Sequence, residues 1–219
     1  MNALLRLLLT LGAAGLVAGC QTVPPYDAVY QGPFYRPRNF VGEQRLPAEI
    51  RRVLLLPISV QSLAHAETAA TLDGVLAASL QRQQRFEVVV LSREECRSWF
   101  GHEAFASTAA LPHGMFDRLA QRYAAEAVLF VDLTVYQAYR PQSIGLRAKL
   151  ATLQDVRLLW TFDEVIAASD PAVANSARRH ALTEDRGLVP VDLSPAALQS
   201  PGRFAAFAAD AMFATLPPR

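Results

Sequence analysis

The apolar residues in the first part of the chain recur with two different spacings, which predict strands alternating with helices. A continuous apolar run at residues 53–58 predicts a strand that is buried on both faces. Residues 62–84 carry apolar side chains at helical spacing, in a stripe formed by Leu72, Val75, Leu76, Ser79 and Leu80. Residues 86–91 are apolar and β-branched, which predicts a second buried strand.

Alternation with a period of two dominates the middle of the chain. Residues 127–136 begin as an apolar run and then alternate, which predicts one face formed by Val131, Leu133 and Val135 and another formed by Asp132, Thr134 and Tyr136. Residues 144–152 and 156–163 alternate in the same way, with a turn at Gln154-Asp155. These three strands predict an antiparallel meander.

Helix start and stop signals predict the remaining elements. Short helices are expected at residues 93–99 and 115–123. Asp170-Pro171 and Ser200-Pro201 each place an N-cap residue before a proline, and the helix that follows Asp170 ends before Gly187. The order β-α-β-α-β-β-β-α-α predicts a single α/β (α+β) domain over residues 51–219. Its helices pack on a mixed sheet that contains the antiparallel meander.

The first 19 residues have the pattern of an export signal. Arg6 precedes an apolar stretch at residues 7–17, which is shorter than the ~20 residues that a membrane-spanning helix needs. Val17-Ala18-Gly19-Cys20 follows, and these residues resemble the lipobox at which bacterial lipoproteins are acylated and cleaved. The resemblance implies a signal peptide at residues 1–19 and a membrane anchor of fatty acid, such as palmitate, on Cys20. An ordinary secretory signal that happens to precede a cysteine is the alternative.

The residue after Cys20 bears on the destination of the protein. It is Gln21, whereas an aspartate at this place favours retention at the inner membrane in lipoproteins of bacteria with two membranes. The resemblance therefore implies an outer-membrane lipoprotein whose domain faces the periplasm. In a cell with one membrane this sorting argument does not apply.

Residues 20–50 are rich in proline and lack any periodicity, which predicts a tether between lipid and domain. A proline-rich segment extends by about 3.1 Å per residue. The segment also carries more aromatic residues than a spacer requires: Tyr26, Tyr30, Phe34, Tyr35 and Phe40. We favour folding of these rings onto the domain, since exposed aromatic side chains lower solubility. The alternative is a strip that binds a partner.

Charge and cysteine content limit the choice of partners. Removing the signal peptide removes Arg6 and takes the formal net charge from +1 to zero. No nucleic-acid partner is therefore expected. If Cys20 is acylated, Cys96 has no other cysteine with which to pair, and no internal disulfide is expected.

Candidate chemistry is concentrated around the long loop at residues 101–112. The sequence has no glycine-rich phosphate loop, no Gly-x-Ser-x-Gly elbow and no Cys-x-x-Cys pair. The densest polar cluster contains Cys96, His102, Glu103 and His113, whose side-chain types include zinc ligands. Their spacing matches no common zinc pattern, so an ordinary surface loop beside a half-buried thiol is the favoured interpretation. We therefore predict no catalytic residue, no cofactor and no metal.

The remaining histidines and one arginine pair are predicted to have no special role. His65 and His180 are expected to be solvated. Arg178-Arg179 is interpreted as a solvated helix face. The alternative is contact with an acidic partner or with lipid head groups, where each charge contributes about 1 kcal/mol.

Four segments resemble a domain found in envelope proteins: residues 53–57 (VLLLP), 86–90 (FEVVV), 127–133 (AVLFVDL) and 150–160 (LATLQDVRLLW). Over residues 51–166 the chain resembles the superfamily of the TolB amino-terminal domain, the curli-secretion lipoprotein CsgG and the penicillin-binding-protein activator LpoB. The resemblance implies a non-enzymatic lipoprotein that binds an envelope protein as an activator or assembly module, alone or as an oligomer. A subunit of a curli-type secretion assembly is one alternative, and a hydrolase or metal protein that uses the loop between Cys96 and His113 is another.

Overall fold

The computed structural model describes residues 27–60, 66–184 and 197–219. In chain order their elements are α1 (Ala28–Gln31), β1 (Phe40–Gly42), β2 (Arg52–Leu55), β3 (Ser59–Val60), α2 (Ala66–Arg82), β4 (Glu87–Val90), α3 (Arg93–Phe100), α4 (Met115–Tyr123), β5 (Ala127–Gln137), β6 (Ser143–Thr152), β7 (Leu158–Ala167), α5 (Pro171–Glu184) and α6 (Pro201–Phe213). The predicted fold class is confirmed, because these helices pack on one mixed sheet.

Within the described residues the sheet has seven strands, with the order β1-β7-β6-β5-β2-β4 and with β3 paired to β5. β2 runs parallel to both β4 and β5. Parallel neighbours need crossover connections, and α2, α3 and α4 lie in those connections. β6 pairs antiparallel with both β5 and β7, which confirms the predicted meander.

Apolar side chains form one core on each face of the sheet. The larger core includes residues of α2, α5 and α6 and holds the fully buried rings of Trp160 and Phe213. The smaller core includes residues of α3, α4 and the loop between them, among them Phe105 and Leu119. The central strands are therefore covered on both sides.

Residues 27–50 lie against the domain, although their composition predicts a tether. β1 pairs with β7 at the edge of the sheet, and Leu46 and Ile50 are buried in the larger core. The hydroxyl of Tyr35 donates to Glu164, and the Tyr35 ring meets the Phe207 ring edge-on, with centroids 6.4 Å apart. Folding of an aromatic side chain onto the domain is thus confirmed for Tyr35. It is wrong for Tyr30 and Phe40, which are 70% and 41% exposed, and Tyr26 lies outside the described residues. The anchoring side chains are too widely spaced to produce a periodic pattern.

The second predicted strand is less buried than expected. β4 is at the end of the sheet and pairs with β2 alone among the described strands. Glu87 and Val90 are exposed. A run of valines indicates a strand but not its place in the sheet, because edge and central strands can both be apolar.

Two irregularities change the faces predicted for the meander. The pairing of β5 with β6 shifts register between Leu133 and Val135, so Val135 becomes exposed while Tyr136 packs against the larger core. A second shift occurs at Leu150/Ala151 in the pairing of β6 with β7, and Leu158 is exposed. Each irregularity interrupts the alternation on which the prediction depended.

Candidate functional site

Several sequence predictions fall outside the described residues. They include the signal peptide at residues 1–19, the lipid-modified Cys20 with its neighbour Gln21, the histidine at position 65 and the helix end at Gly187. None of the helices within the described ranges has the length and apolar character needed to cross a membrane.

The structure does not bring the predicted loop residues together as metal ligands. Cys96 is buried in the smaller core, and burial raises the pKa of its thiol to about 11, although the charge of Arg93 opposes this. His102 lies edge-on to the Phe105 ring, at 5.6 Å between centroids, and Glu103 pairs with Arg97. His113 is exposed. A buried, protonated thiol is a poor ligand and a poor nucleophile at neutral pH.

A polar cluster that the sequence analysis missed joins α2, α5 and α6. Asp210 Oδ2 lies 2.7 Å from His180 Nε2. Arg82 Nη2 donates to both carboxylate oxygens of Asp210 at 2.8 Å and to Ser79 Oγ at 2.9 Å. The expectation that His180 is solvated is therefore wrong, because its half-buried ring contacts Asp210 and also meets Phe207 edge-on.

The partners of Asp210 determine its ionisation. Burial raises the pKa of Asp210, but hydrogen bonds from His180, Arg82 and Ser79 lower it by more. The net result is a pKa below the usual value of 3.8, so the carboxylate is ionised at neutral pH.

The same cluster is a poor fit for a metal ion. His180, Glu184 and Asp210 each offer a ligand atom, and these atoms lie within 4.8 Å of one another. However, the guanidinium of Arg82 already contacts both oxygens of Asp210. A divalent cation would have to displace these hydrogen bonds and would be repelled by the arginine. The arrangement instead joins three helices through charge-assisted hydrogen bonds.

We expect Asp210→Asn to lower the free energy of unfolding by about 1–3 kcal/mol at neutral pH, because Arg82 and His180 lose the carboxylate that pairs with them. A carboxyl group whose pKa is lowered by folding stabilises the protein above its unfolded pKa. That contribution is lost as the pH falls below about 3.8 and through the folded pKa. The difference between parent and variant should therefore shrink in acid, which urea unfolding over a pH series measures.

Asp117→Asn is the matched control, since Asp117 is an exposed carboxylate on α4. Its stability should stay within about 0.5 kcal/mol of the parent. Equal stability of Asp210→Asn and Asp117→Asn would contradict a structural role for the cluster.

A second candidate surface lies on the outer face of the meander, which is the face turned away from α5 and α6. Val135, Gly145 and Val165 are directly opposite one another on β5, β6 and β7, and we call these residues the valine row. Val135 and Val165 are 39% and 55% exposed. A Cβ atom at Gly145 would lie 2.4 Å from Thr134 Oγ1, so the glycine permits the close approach of β5 and β6 between the valines.

The loop between α3 and α4 covers the neighbouring part of this face. Ser107 donates from its backbone nitrogen and its hydroxyl to the buried carboxylate of Asp132, at 2.9 and 2.6 Å. Lys149 Nζ in turn donates to the carbonyl oxygen of Ser107 at 2.8 Å. Nearer the start of β6, Arg147 Nε pairs with Asp163 on β7 at 2.8 Å. The exposed valine row lies two positions beyond this pair, at Gly145 and Val165.

No protein-family model matches this chain, and no curated protein is significantly similar to it. Solved structures with limited similarity to this chain include the following three. Lipoprotein GNA1162 from Neisseria meningitidis is 20% identical, with 55% of this chain and 85% of that chain covered and a TM-score of 0.41. The PelC dodecamer from Paraburkholderia phytofirmans is 10% identical, with 83% and 97% covered and a TM-score of 0.42. The LpoB C-terminal domain from Salmonella enterica is 17% identical, with 53% and 82% covered and a TM-score of 0.32.

Proposed function

We propose that this chain is a lipid-anchored protein of the bacterial envelope whose domain binds another protein without catalysing a reaction. The lipid is attached at Cys20, and the domain faces the periplasm from the outer membrane. The exposed valine row is the observation that carries the binding role. Val135 and Val165 flank Gly145 across three strands, and exposed apolar side chains aligned in this way gain free energy when a partner covers them.

The chemistry around the valine row favours a protein as the partner. Val41 on β1 is 73% exposed and pairs with Thr161, which lies on the same face of β7 as Val165. Arg147 and Asp163 neutralise each other beside the row. An apolar surface without excess positive charge fits the apolar centre of a protein interface better than it fits anionic lipid or nucleic acid.

A non-catalytic role is supported by the way the reactive groups are occupied. Asp210 is held by Arg82 and His180, and Asp132 is held by Ser107. The Cys96 thiol is buried and protonated at neutral pH. These groups stabilise the fold through the contacts that they already make.

We expect a photocrosslinking amino acid at Val165 to trap a discrete envelope protein in intact cells. The same amino acid at Arg118, which is exposed on α4, provides the control. α4 packs in the smaller core with Val128 and Phe130 near the start of β5, whereas Val135 lies near the other end of that strand. The Arg118 position should therefore not give the same adduct. Gel mobility and mass spectrometry of the adducts make the comparison.

A charge placed in the valine row tests the same surface independently. With the photocrosslinker at Val41, a second substitution of Val165→Glu should remove the adduct while leaving thermal unfolding unchanged, because Val165 is exposed. Identical adducts from Val165 and Arg118, or no adduct from Val165, would contradict the proposal. An adduct that contains only two copies of this chain would show that the surface mediates self-association and does not bind a different protein.

A further inference from the structure

A small pocket opens where the connection between β5 and β6 meets α5. Its volume is about 340 Å³, at the small end of the range for ligand sites. The described residues that line it are Arg140, Pro141, Gln142, Ala168, Arg178 and Leu198. They belong to the β5–β6 connection, the end of β7, helix α5 and the segment before α6, so the site depends on the folded domain.

Gln142 lines this pocket and carries a buried acceptor. The residue is 2% exposed, and its Nε2 donates to the carbonyl oxygen of Ala138 at 3.1 Å. That hydrogen bond fixes the orientation of the amide and leaves Oε1 as the other polar atom. Oε1 is buried and accepts no hydrogen bond within the described part of the chain. Such an acceptor costs stability unless a ligand or water donates to it.

Two arginines give the pocket its charge. Arg178 Nε is buried and makes no hydrogen bond within the described residues, while Arg140 Nε donates to the carbonyl oxygen of Leu198 at 2.9 Å. No carboxylate is among the described residues that line the pocket. Two guanidinium groups with no carboxylate beside them among the described residues favour an anion, and their planar donors match a carboxylate.

We propose that this pocket binds a small carboxylate that carries a neighbouring N–H group, as in an N-acyl amino acid or the carboxyl terminus of a peptide. The carboxylate pairs with Arg178 and Arg140, and the N–H donates to Gln142 Oε1. Pro141, Ala168 and Leu198 contact the aliphatic part of the ligand. Inorganic phosphate would satisfy the arginines, and its O–H group could donate to Gln142 Oε1, but it has no aliphatic part for Pro141, Ala168 and Leu198 to contact.

Calorimetric titration of the full-length protein in detergent with N-acetyl-L-alanine tests this assignment. We expect saturable binding with a Kd below about 1 mM. N-acetyl-L-alaninamide keeps the N–H and the methyl groups but lacks the charge, and its binding should be about tenfold weaker or worse. N-acetyl-trialanine distinguishes a peptide terminus from a free N-acyl amino acid as the natural ligand. Binding tighter than that of N-acetyl-L-alanine indicates a peptide terminus, and weaker binding indicates a free N-acyl amino acid.

Variants connect the binding to the pocket. Arg178→Gln should weaken binding of N-acetyl-L-alanine about tenfold, and Arg178→Lys, which keeps the charge but loses Nε, should also weaken it. Arg118→Gln removes an exposed arginine on α4 and should leave binding unchanged. Absence of saturable binding, equal binding of the acid and the amide, or equal binding by parent and both Arg178 variants would overturn the proposal.

Discussion

Trp160→Ala is expected to lower the free energy of unfolding by about 3–5 kcal/mol. Trp160 is 1% exposed in the larger core, where its ring centroid lies 6.2 Å from that of Phe162 and 6.5 Å from that of Phe213. Its Nε1 donates to Thr215 Oγ1 at 3.1 Å. The variant would leave a cavity between β7 and α6 and remove the donor for Thr215. Chemical denaturation followed by far-ultraviolet circular dichroism measures the loss.

Trp99 supplies the matched control for this substitution. It lies on α3 and is 37% exposed, and its contacts include the Tyr123 ring at 6.3 Å and the guanidinium of Arg122 at 5.4 Å. Trp99→Ala should therefore cost about 1 kcal/mol, since much of its ring is already in water. If both tryptophan variants lost the same stability, the larger core would not be organised around Trp160 as the structure indicates.

Elements whose cause is local were predictable from the sequence. The alternation of residues 144–152 predicts the wet and dry faces of β6, whose Ile144 and Leu146 lie in the larger core. Ser200-Pro201 predicts the start of α6, and Ser200 Oγ accepts a hydrogen bond from the backbone nitrogen of Arg203. Periodicity and capping act within a few residues and are therefore visible without knowledge of the fold.

Features that depend on pairing between distant strands were not predictable. Val135 leaves the core because the register of β5 against β6 shifts, and the exposure of Val90 follows from the edge position of β4. β1 consists of Phe40–Gly42 alone, whose partner β7 lies over 100 residues farther along the chain. A short segment whose pairing is this distant carries no periodic signal of its own.

The candidate sites were missed for the same reason. Arg82 and Asp210 are 128 positions apart in sequence, and only the packing of α2 against α6 brings them into contact. The sequence did contain part of the pattern that indicates the cluster around Asp210. His180 and Glu184 are four residues apart on a predicted helix and so lie on one face of it, and Asp210 interrupts an alanine-rich apolar face. The valine row is invisible until the registers of β5, β6 and β7 place Val135, Gly145 and Val165 opposite one another.

Cys20→Ser is expected to abolish labelling by radioactive palmitate and to move the protein from the membrane fraction to the soluble fraction. The reason is that each buried methylene group of an acyl chain contributes about 0.8 kcal/mol to membrane binding, whereas a charge near an anionic surface contributes about 1 kcal/mol. Arg178-Arg179 is a weak substitute, since the guanidinium of Arg179 lies 4.7 Å from the Phe34 ring centroid. Cell fractionation and label incorporation measure the two effects together.

Cys96→Ser gives the corresponding control at the second cysteine of the chain. Its thiol lies in the smaller core and is protonated at neutral pH, so acylation there would require the fold to open. This variant should keep both the label and the membrane attachment of the parent. Sedimentation of an unlabelled Cys20→Ser protein with membranes, at the level of the parent, would show that the acyl chains are not the anchor. The envelope location would then have to be explained by the domain and its partner alone.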